Sequence, residues 1–169
     1  MERHLNDAEP AMSVAIRPLT EADADAVVAM NAAILAYLRG LGDPESEVQH
    51  FTREKYLRDG FGPDPAFGGF IAEEDGASLG YLLYCKGYNV DMAYRLFFIC
   101  DLWVEPDARG KGVARGLMQA CAAECRKCGG EWLEWYVYRP NKLAFDFYRR
   151  LGATESDALA VMTMKADAL

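Results

Sequence analysis

The sequence predicts an α/β fold: one mixed, mostly antiparallel twisted sheet of six or seven strands flanked by about four helices. Three observations carry that expectation. Arg95–Val104 is an almost wholly apolar run that leads through Gly110 and Gly112 into a helical pattern, as a central strand covered on both faces should. Asp75-Gly76 separates two strand-like runs and is a strong hairpin signal. Apolar residues at three- and four-residue steps mark helices both before that hairpin and after the apolar run. At 169 residues the chain fits one domain, expected over residues 13–169, with a polar, flexible N-terminal arm over 1–12.

In chain order, Val14–Arg17 reads as a short strand closed by Pro18. Thr20 with Asp23 has capping-box character and opens a helix whose stripe includes Val27, Ile34 and Leu38, with Gly40 and Gly42 as its stop. Thr52–Arg58 gives a second short helix, and the Pro- and Gly-rich stretch 59–65 cannot remain helical. Gly69–Glu74 and Leu79–Tyr88 are the arms of the hairpin. After the apolar run and its helix, residues 131–138 alternate as a strand, with Trp132, Glu134, Tyr136 and Tyr138 on one face. Pro140 starts a helix that runs through Leu151 and stops at Gly152. Short strands near 153–156 and 159–163 complete the sheet.

Composition excludes several classes. With 51% hydrophobic and 26% charged residues the chain reads as globular and ordered. Its formal charge of −8 argues against nucleic-acid partners, because neutralising phosphates requires a basic face. No apolar run approaches the roughly 18 residues of a membrane span and residues 1–12 lack a signal-peptide pattern, so no membrane partner is expected and a cytoplasmic location is inferred. The odd count of five cysteines fits reduced thiols. Cys121, Cys125 and Cys128 have the spacing of an iron-sulfur motif. Yet Ala114, Leu117, Met118, Cys121 and Cys125 form one helical stripe, which explains them as core. The only histidines are His4 and His50, so no metal site is expected.

The loop Arg109-Gly110-Lys111-Gly112-Val113-Ala114 has the character of a phosphate cradle. Its glycines permit a sharp bend and close approach of backbone amides to a ligand, and the helix that follows points its N-terminal amides and dipole into the same place. No Ser or Thr follows Lys111, which separates it from a Walker loop, and Gly116 is out of step with a dinucleotide fingerprint. Taken alone, the six residues also read as an ordinary Gly-rich turn.

Arg-x-x-Gly-x-Ala at 109–114 resembles the pyrophosphate motif of the GCN5-related N-acetyltransferase (GNAT) superfamily. The opening Ile16-Arg17-Pro18 and the closing series Asn141, Ala144, Phe147-Tyr148 and Leu151-Gly152-Ala153 resemble that superfamily in the same order, over about Ser13 to Met164. Leu57–Gly62, Asp101–Val104 and Phe145–Arg150 are most similar to its spermidine/spermine and thialysine N-acetyltransferase branch. Two positions depart from the branch: Cys100 and Leu38 stand where it carries acids that help hold a polyamine.

The resemblance implies a GNAT-like fold, acetyl-CoA as co-substrate without a metal, and direct transfer of its acetyl group to a small-molecule primary amine: a short diamine, a polyamine or a thialysine-like amino acid. It also implies a homodimer. Transfer to a protein or peptide amine and a non-catalytic acyl-CoA-binding regulatory module remain alternatives. Cofactor contacts fall on the strand edge Leu102, Trp103 and Val104, on Arg109, Gly110, Lys111, Gly112, Val113, Ala114 and Arg115, and on Asn141 and Ala144. Tyr148 is the candidate proton donor to the leaving thiolate, a role its phenol suits, although its helical position alone also reads as core. Asp101 and Glu134 are candidates for holding the ammonium or relaying its proton, or are ordinary ion-paired acids. Tyr37 and Cys100 complete the candidate substrate contacts. An acetyl-cysteine route through Cys100 is disfavoured, since no histidine lies near it in sequence.

Overall fold

The computed structural model describes residues 14–156 and 158–168; the arm expected over 1–12 lies outside them. Among these residues the elements are β1 Ala15–Pro18, α1 Ala24–Gly40, α2 Arg53–Phe61, β2 Gly68–Glu74, β3 Ala77–Asn89, β4 Tyr94–Val104, α3 Val113–Lys127, β5 Gly130–Trp135 and α4 Lys142–Arg150. Short 3-10 turns lie at Glu21–Asp23, Pro44–Glu47, Pro106–Ala108 and Ala166–Ala168. The strands make one five-stranded sheet in the order β1-β2-β3-β4-β5. The first four run antiparallel, and β5 joins β4 in parallel, which requires the crossover that α3 supplies.

Five strands stand where six or seven are expected. The segments at 153–156 and 159–163 join no ladder among the described residues. Leu159, Val161 and Met162 are 82%, 58% and 89% exposed, so the alternating pattern that predicts a strand finds no sheet edge. Glu155 instead pairs with Arg139 at 2.6 Å and with Arg149 at 3.8 Å. The strand expected over 131–138 stops at Trp135, because its last partner on β4 is Ile99 and β4 diverges beyond it. Asn141 caps α4, which therefore begins at Lys142 rather than at Pro140. The hairpin at Asp75-Gly76 forms as predicted, with both residues at positive φ.

Each face of the sheet buries its own set of side chains. On one, Phe70, Ala72, Leu82, Phe97 and Ile99 meet Val113, Leu117, Met118 and Cys121 of α3, with Phe147, Tyr148 and Leu151 at the edge from α4. On the other, Ile71, Tyr81, Leu83 and Trp103 meet Ala24, Val27 and Met30 of α1 and Tyr56 of α2. Cys121 and Cys125 are buried in the α3 stripe, as the periodicity requires. Gly116 is explained by packing: a Cβ there would come within 2.4 Å of Ile16 Cδ1, so glycine lets α3 approach β1.

The start of α1 is pinned to the sheet by charge. Arg17 donates to both carboxylate oxygens of Asp23 at 2.8 Å and reaches Glu73 at 2.9 and 3.2 Å, while Asp23 Oδ2 also accepts the Thr20 N–H at 2.8 Å. The Arg17 hydrogen bonds, ahead of those from Thr20, hold the Asp23 carboxyl below its usual range. A carboxylate whose folded pKa is depressed stabilises the fold above its unfolded pKa of about 3.9 and loses that contribution as pH falls through the folded value. Asp23→Asn should therefore cost about 1–3 kcal/mol at pH 7, the lower half being favoured because Arg17 is 37% exposed and solvent screens the pair. Urea unfolding of both proteins should show the gap narrowing below about pH 4. A pH-independent gap would assign the effect to packing.

Candidate active site

The functional residues gather where β4 leaves β5, and one irregularity in β4 decides how. In the β3–β4 ladder Leu83 pairs with Asp101 while Tyr84 pairs with Ile99, so Cys100 is an unpaired extra residue, a bulge. Strict alternation would put Asp101 and Trp103 on the α3 face with Phe97 and Ile99. The extra residue turns both to the α1 face, where Trp103 packs with Tyr81 and Leu83. The parallel ladder with β5 ends at Ile99↔Trp135, just before the bulge, so residues 101–104 have no β5 partner.

Backbone alternation assigns this open edge its groups. Glu105 N–H donates to Leu79 O at 2.9 Å toward β3, so the polar groups of Leu102 and Val104 face the gap. Val104 O is taken by Arg109 Nε at 3.0 Å. The Leu102 N–H contributes to the Asp101 carboxylate, which leaves the Leu102 carbonyl and the Val104 N–H available.

Asp101 lies at the start of this edge. Its Oδ2 accepts both the Tyr81 hydroxyl and Asn31 Nδ2, the latter at 3.2 Å. Burial raises its pKa above the ordinary carboxylate value against the opposing pull of these donors, and among the described residues no Lys, Arg or His forms an ion pair with it. Tyr148 lies on the other face, its ring 4.8 Å from Trp135 and 5.1 Å from Phe147 between centroids. Burial first, then the Asp101 charge, raises its pKa, so the phenol keeps its proton through the physiological range.

The remaining candidates divide. Tyr37 OH donates to Asn141 Oδ1 at 3.1 Å, and the same oxygen accepts the Ala144 N–H at 3.2 Å, so Tyr37 of α1 is tied to the cap of α4. Arg109 Cζ stands 4.6 Å from the Trp103 ring centroid and 5.7 Å from that of Tyr37, so its guanidinium is held inward by stacking. Glu134 pairs in register with Phe98, before the bulge, and accepts the Tyr94 hydroxyl at 3.2 Å. Cys100 is exposed as a residue, yet its sulfur is partly buried beside Cys85, and burial first pushes its thiol up to about 12. That is the wrong direction for a thiolate nucleophile.

The cradle has the predicted shape. Gly110 and Gly112 adopt φ of +76° and +85°, and a Cβ at either position would meet nothing within 4 Å. Their need for glycine is conformational, and the space above them is open. The first helical bond of α3 runs from Gly116 N–H to Gly112 O, no side chain caps that end, and its first turn holds no acid. A diphosphate with an amide-bearing arm fits this arrangement: free helix amides beside Lys111 and Arg115, and an unpaired strand edge.

Sequence reasoning passed over Asn31, Gln49 and Tyr81. Asn31 sits four residues after Val27 in an otherwise apolar helical stripe, and that break in pattern was the available signal.

The family model described as Acetyltransferase (GNAT) family matches residues 32–153, and the chain belongs to that family. The protein is an acetyl-CoA-dependent N-acetyltransferase. A thialysine N-epsilon-acetyltransferase of Sus scrofa is 28% identical over 153 residues, covering 85% of this chain and 85% of that protein. An L-ornithine N5-acetyltransferase of Arabidopsis thaliana is 30% identical over 90 residues, 53% of this chain and 40% of its own length. Among solved structures, an aminoglycoside N-acetyltransferase in complex with CoA superposes with a TM-score of 0.74 at 16% identity, over 94% of this chain and 99% of that one.

Valine at position 112 would have to adopt a left-handed conformation that costs about 1–3 kcal/mol and would place its side chain in the cradle. Gly112→Val should abolish CoA binding measured by calorimetry while the far-ultraviolet circular dichroism stays unchanged. Unchanged affinity would remove the cradle from the cofactor site.

Proposed function

We propose that the protein acetylates the primary amine of a short diamine or of an amino-acid side chain of the thialysine or ornithine kind, by direct attack. The observation that carries this reading is Asp101. A half-buried carboxylate whose desolvation no basic partner among the described residues offsets is costly, and a cationic substrate would offset that cost. The similarity to thialysine and ornithine acetyltransferases supports an acceptor of this size and charge.

When bound, acetyl-CoA supplies an acetyl group already activated as a thioester. The amides of residues 110–115, with Lys111 and Arg115, would hold its diphosphate, and the edge at Leu102–Val104 its pantetheine amides. Asp101 Oδ1, which receives no side-chain donor, binds the ammonium and passes its proton to water. The Val104 N–H is the backbone donor available to a developing oxyanion. Tyr148, a half-buried phenol whose desolvation raises its pKa further, gives the proton that the leaving sulfur requires. The raised Cys100 thiol favours direct attack over an acyl-cysteine. Glu134 serves as a more distant acid on the same face, and Asn141 acts through the α4 cap. We infer a homodimer from the exposed Tyr88, Val90, Met92, Trp132 and Tyr136, and a reducing cytoplasmic setting from five free cysteines.

Tyr148→Phe removes one hydroxyl and little volume. Steady-state kinetics should show kcat reduced roughly a hundredfold with acetyl-CoA binding nearly unchanged; an unaltered kcat would return Tyr148 to the core. Leu38 and Cys100 stand where the polyamine enzymes place acids, and each absent charge-assisted contact weakens a polycation's binding by about 1.5–3 kcal/mol. Side-by-side kcat/KM values for spermine, a short diamine and thialysine should therefore place spermine last. A clear preference for spermine would overturn the single-acid reading of the pocket, and the absence of thiol release with every amine would overturn the activity toward small amines.

A further inference from the structure

We propose that Asn31 and Tyr81 are positioning residues for acetyl transfer, placing both side-chain donors to Asp101 on Oδ2 so that Oδ1 has no side-chain partner and stays available to the amine, with Gln49 fixing the sense of the Asn31 amide. The proposal rests on Asp101 receiving the amine, and it explains how a half-buried acid is kept both ordered and unfinished. Tyr81 comes from β3 and is wholly buried, with its hydroxyl on Asp101 Oδ2. Asn31 comes from α1, with Nδ2 on the same oxygen at 3.2 Å. Two donors on one oxygen fix the carboxyl plane, yet leave the second oxygen without a side-chain partner.

The direction of these bonds is determined within the network. Gln49 Nε2 lies 2.9 Å from Val28 O, a backbone carbonyl that can only accept, so this nitrogen is a donor. It also reaches Asn31 Oδ1 at 3.4 Å, which turns Asn31 Nδ2 toward Asp101. Gln49 belongs to the connection between α1 and α2, so that connection and the acid are linked through one amide. The arrangement is poor as a stability device. Asn in mid-helix is less favourable than an apolar residue, and an Asn31–Asp101–Tyr81 cluster replaced by apolar side chains would avoid burying a charge. It is well suited to an acid whose countercharge arrives with the substrate.

The groups that face Asp101 from the packed elements are Tyr81 of β3, neutral Asn31 of α1, Tyr148 of α4 and its neighbour Cys100 in β4. The last two and Tyr81 all titrate above their ordinary values, and Glu134 bonds Tyr94 and neither Tyr81 nor Asn31, so an acidic break that moves when Tyr81 or Asn31 is changed belongs to Asp101. Both Tyr81 and Asn31 stabilise its charged form. Losing either donor raises the Asp101 pKa, so the acidic break in kcat/KM should move to higher pH by roughly one unit in Tyr81→Phe and in Asn31→Leu. Well above the break the rates should return toward the parent's. Gln49→Ala, at an exposed position, should move the break the same way by less, and serves as the readout if either of those variants fails to fold.

A uniform fall at every pH with the break in place would make these residues structural and overturn the proposal. Asp101→Asn separates the two levels. If it retains the parent kcat/KM, the reading of Asp101 itself fails. If it loses activity roughly a hundredfold while the breaks of the other variants stay put, only the positioning proposal fails.

Discussion

One extra residue in β4 sets the geometry on which the rest of the site depends. Because side chains alternate along a strand, the insertion of Cys100 exchanges the faces of everything after it. Asp101 and Trp103 pass to the α1 side, whereas Leu102 turns to the α3 side. The same bulge falls where the β4–β5 ladder ends, so the strand that changes face also loses its parallel neighbour. The gap that results joins the two layers of the molecule. Asp101 addresses it from one face and Tyr148 from the other, near enough that the acid's charge contributes to the raised pKa of the phenol.

A second set of contacts keeps that gap in register. Arg109 leaves the β4–α3 loop to lie over Trp103 and Tyr37 and to bond Val104 O, so the loop, the strand edge and α1 are joined at one guanidinium. Tyr37 continues the link to Asn141, which caps α4 and so orients the helix that carries Tyr148. Arginine suits this position better than lysine, since a planar cation can stack and donate at once. Trp103 is buried with its indole N–H lacking a partner among the described residues. Stacking of its ring on the Arg109 guanidinium therefore accounts for its place better than hydrogen bonding does.

The cradle was legible in the sequence because its requirements are local: two glycines at fixed spacing, a preceding strand and a following helix. The hairpin at Asp75-Gly76 was legible for the same reason. The bulge was not, since Cys100 sits in an almost wholly apolar run with no glycine or proline to mark it, and an apolar strand reads alike on either face. Tyr81 and Asn31 were passed over because their importance depends on where Asp101 turns. The end of β5 and the expected strands at 153–156 and 159–163 depended on ladder partners distant in sequence, which alternation alone does not supply. Arg109 and Asn141 matched a ligand-binding pattern, and the structure gives each an intramolecular partner as well.

The charge distribution follows the two substrates of the reaction. A chain with a formal charge of −8 nonetheless keeps the first turn of α3 free of acids and sets Lys111 and Arg115 beside its unpaired amides. At the opposite end of the gap stands a carboxylate whose protein partners are all neutral. An anionic cofactor and a cationic amine would thus approach from ends of matching polarity, each compensating a group the fold leaves uncompensated. Within a few ångströms such complementarity acts on orientation as much as on affinity, because the wrong ligand at either end would meet its own sign of charge. The strand edge between them, unpaired because of the bulge, is then the only part of the site that needs no charge, and it is the part where the acyl group must pass.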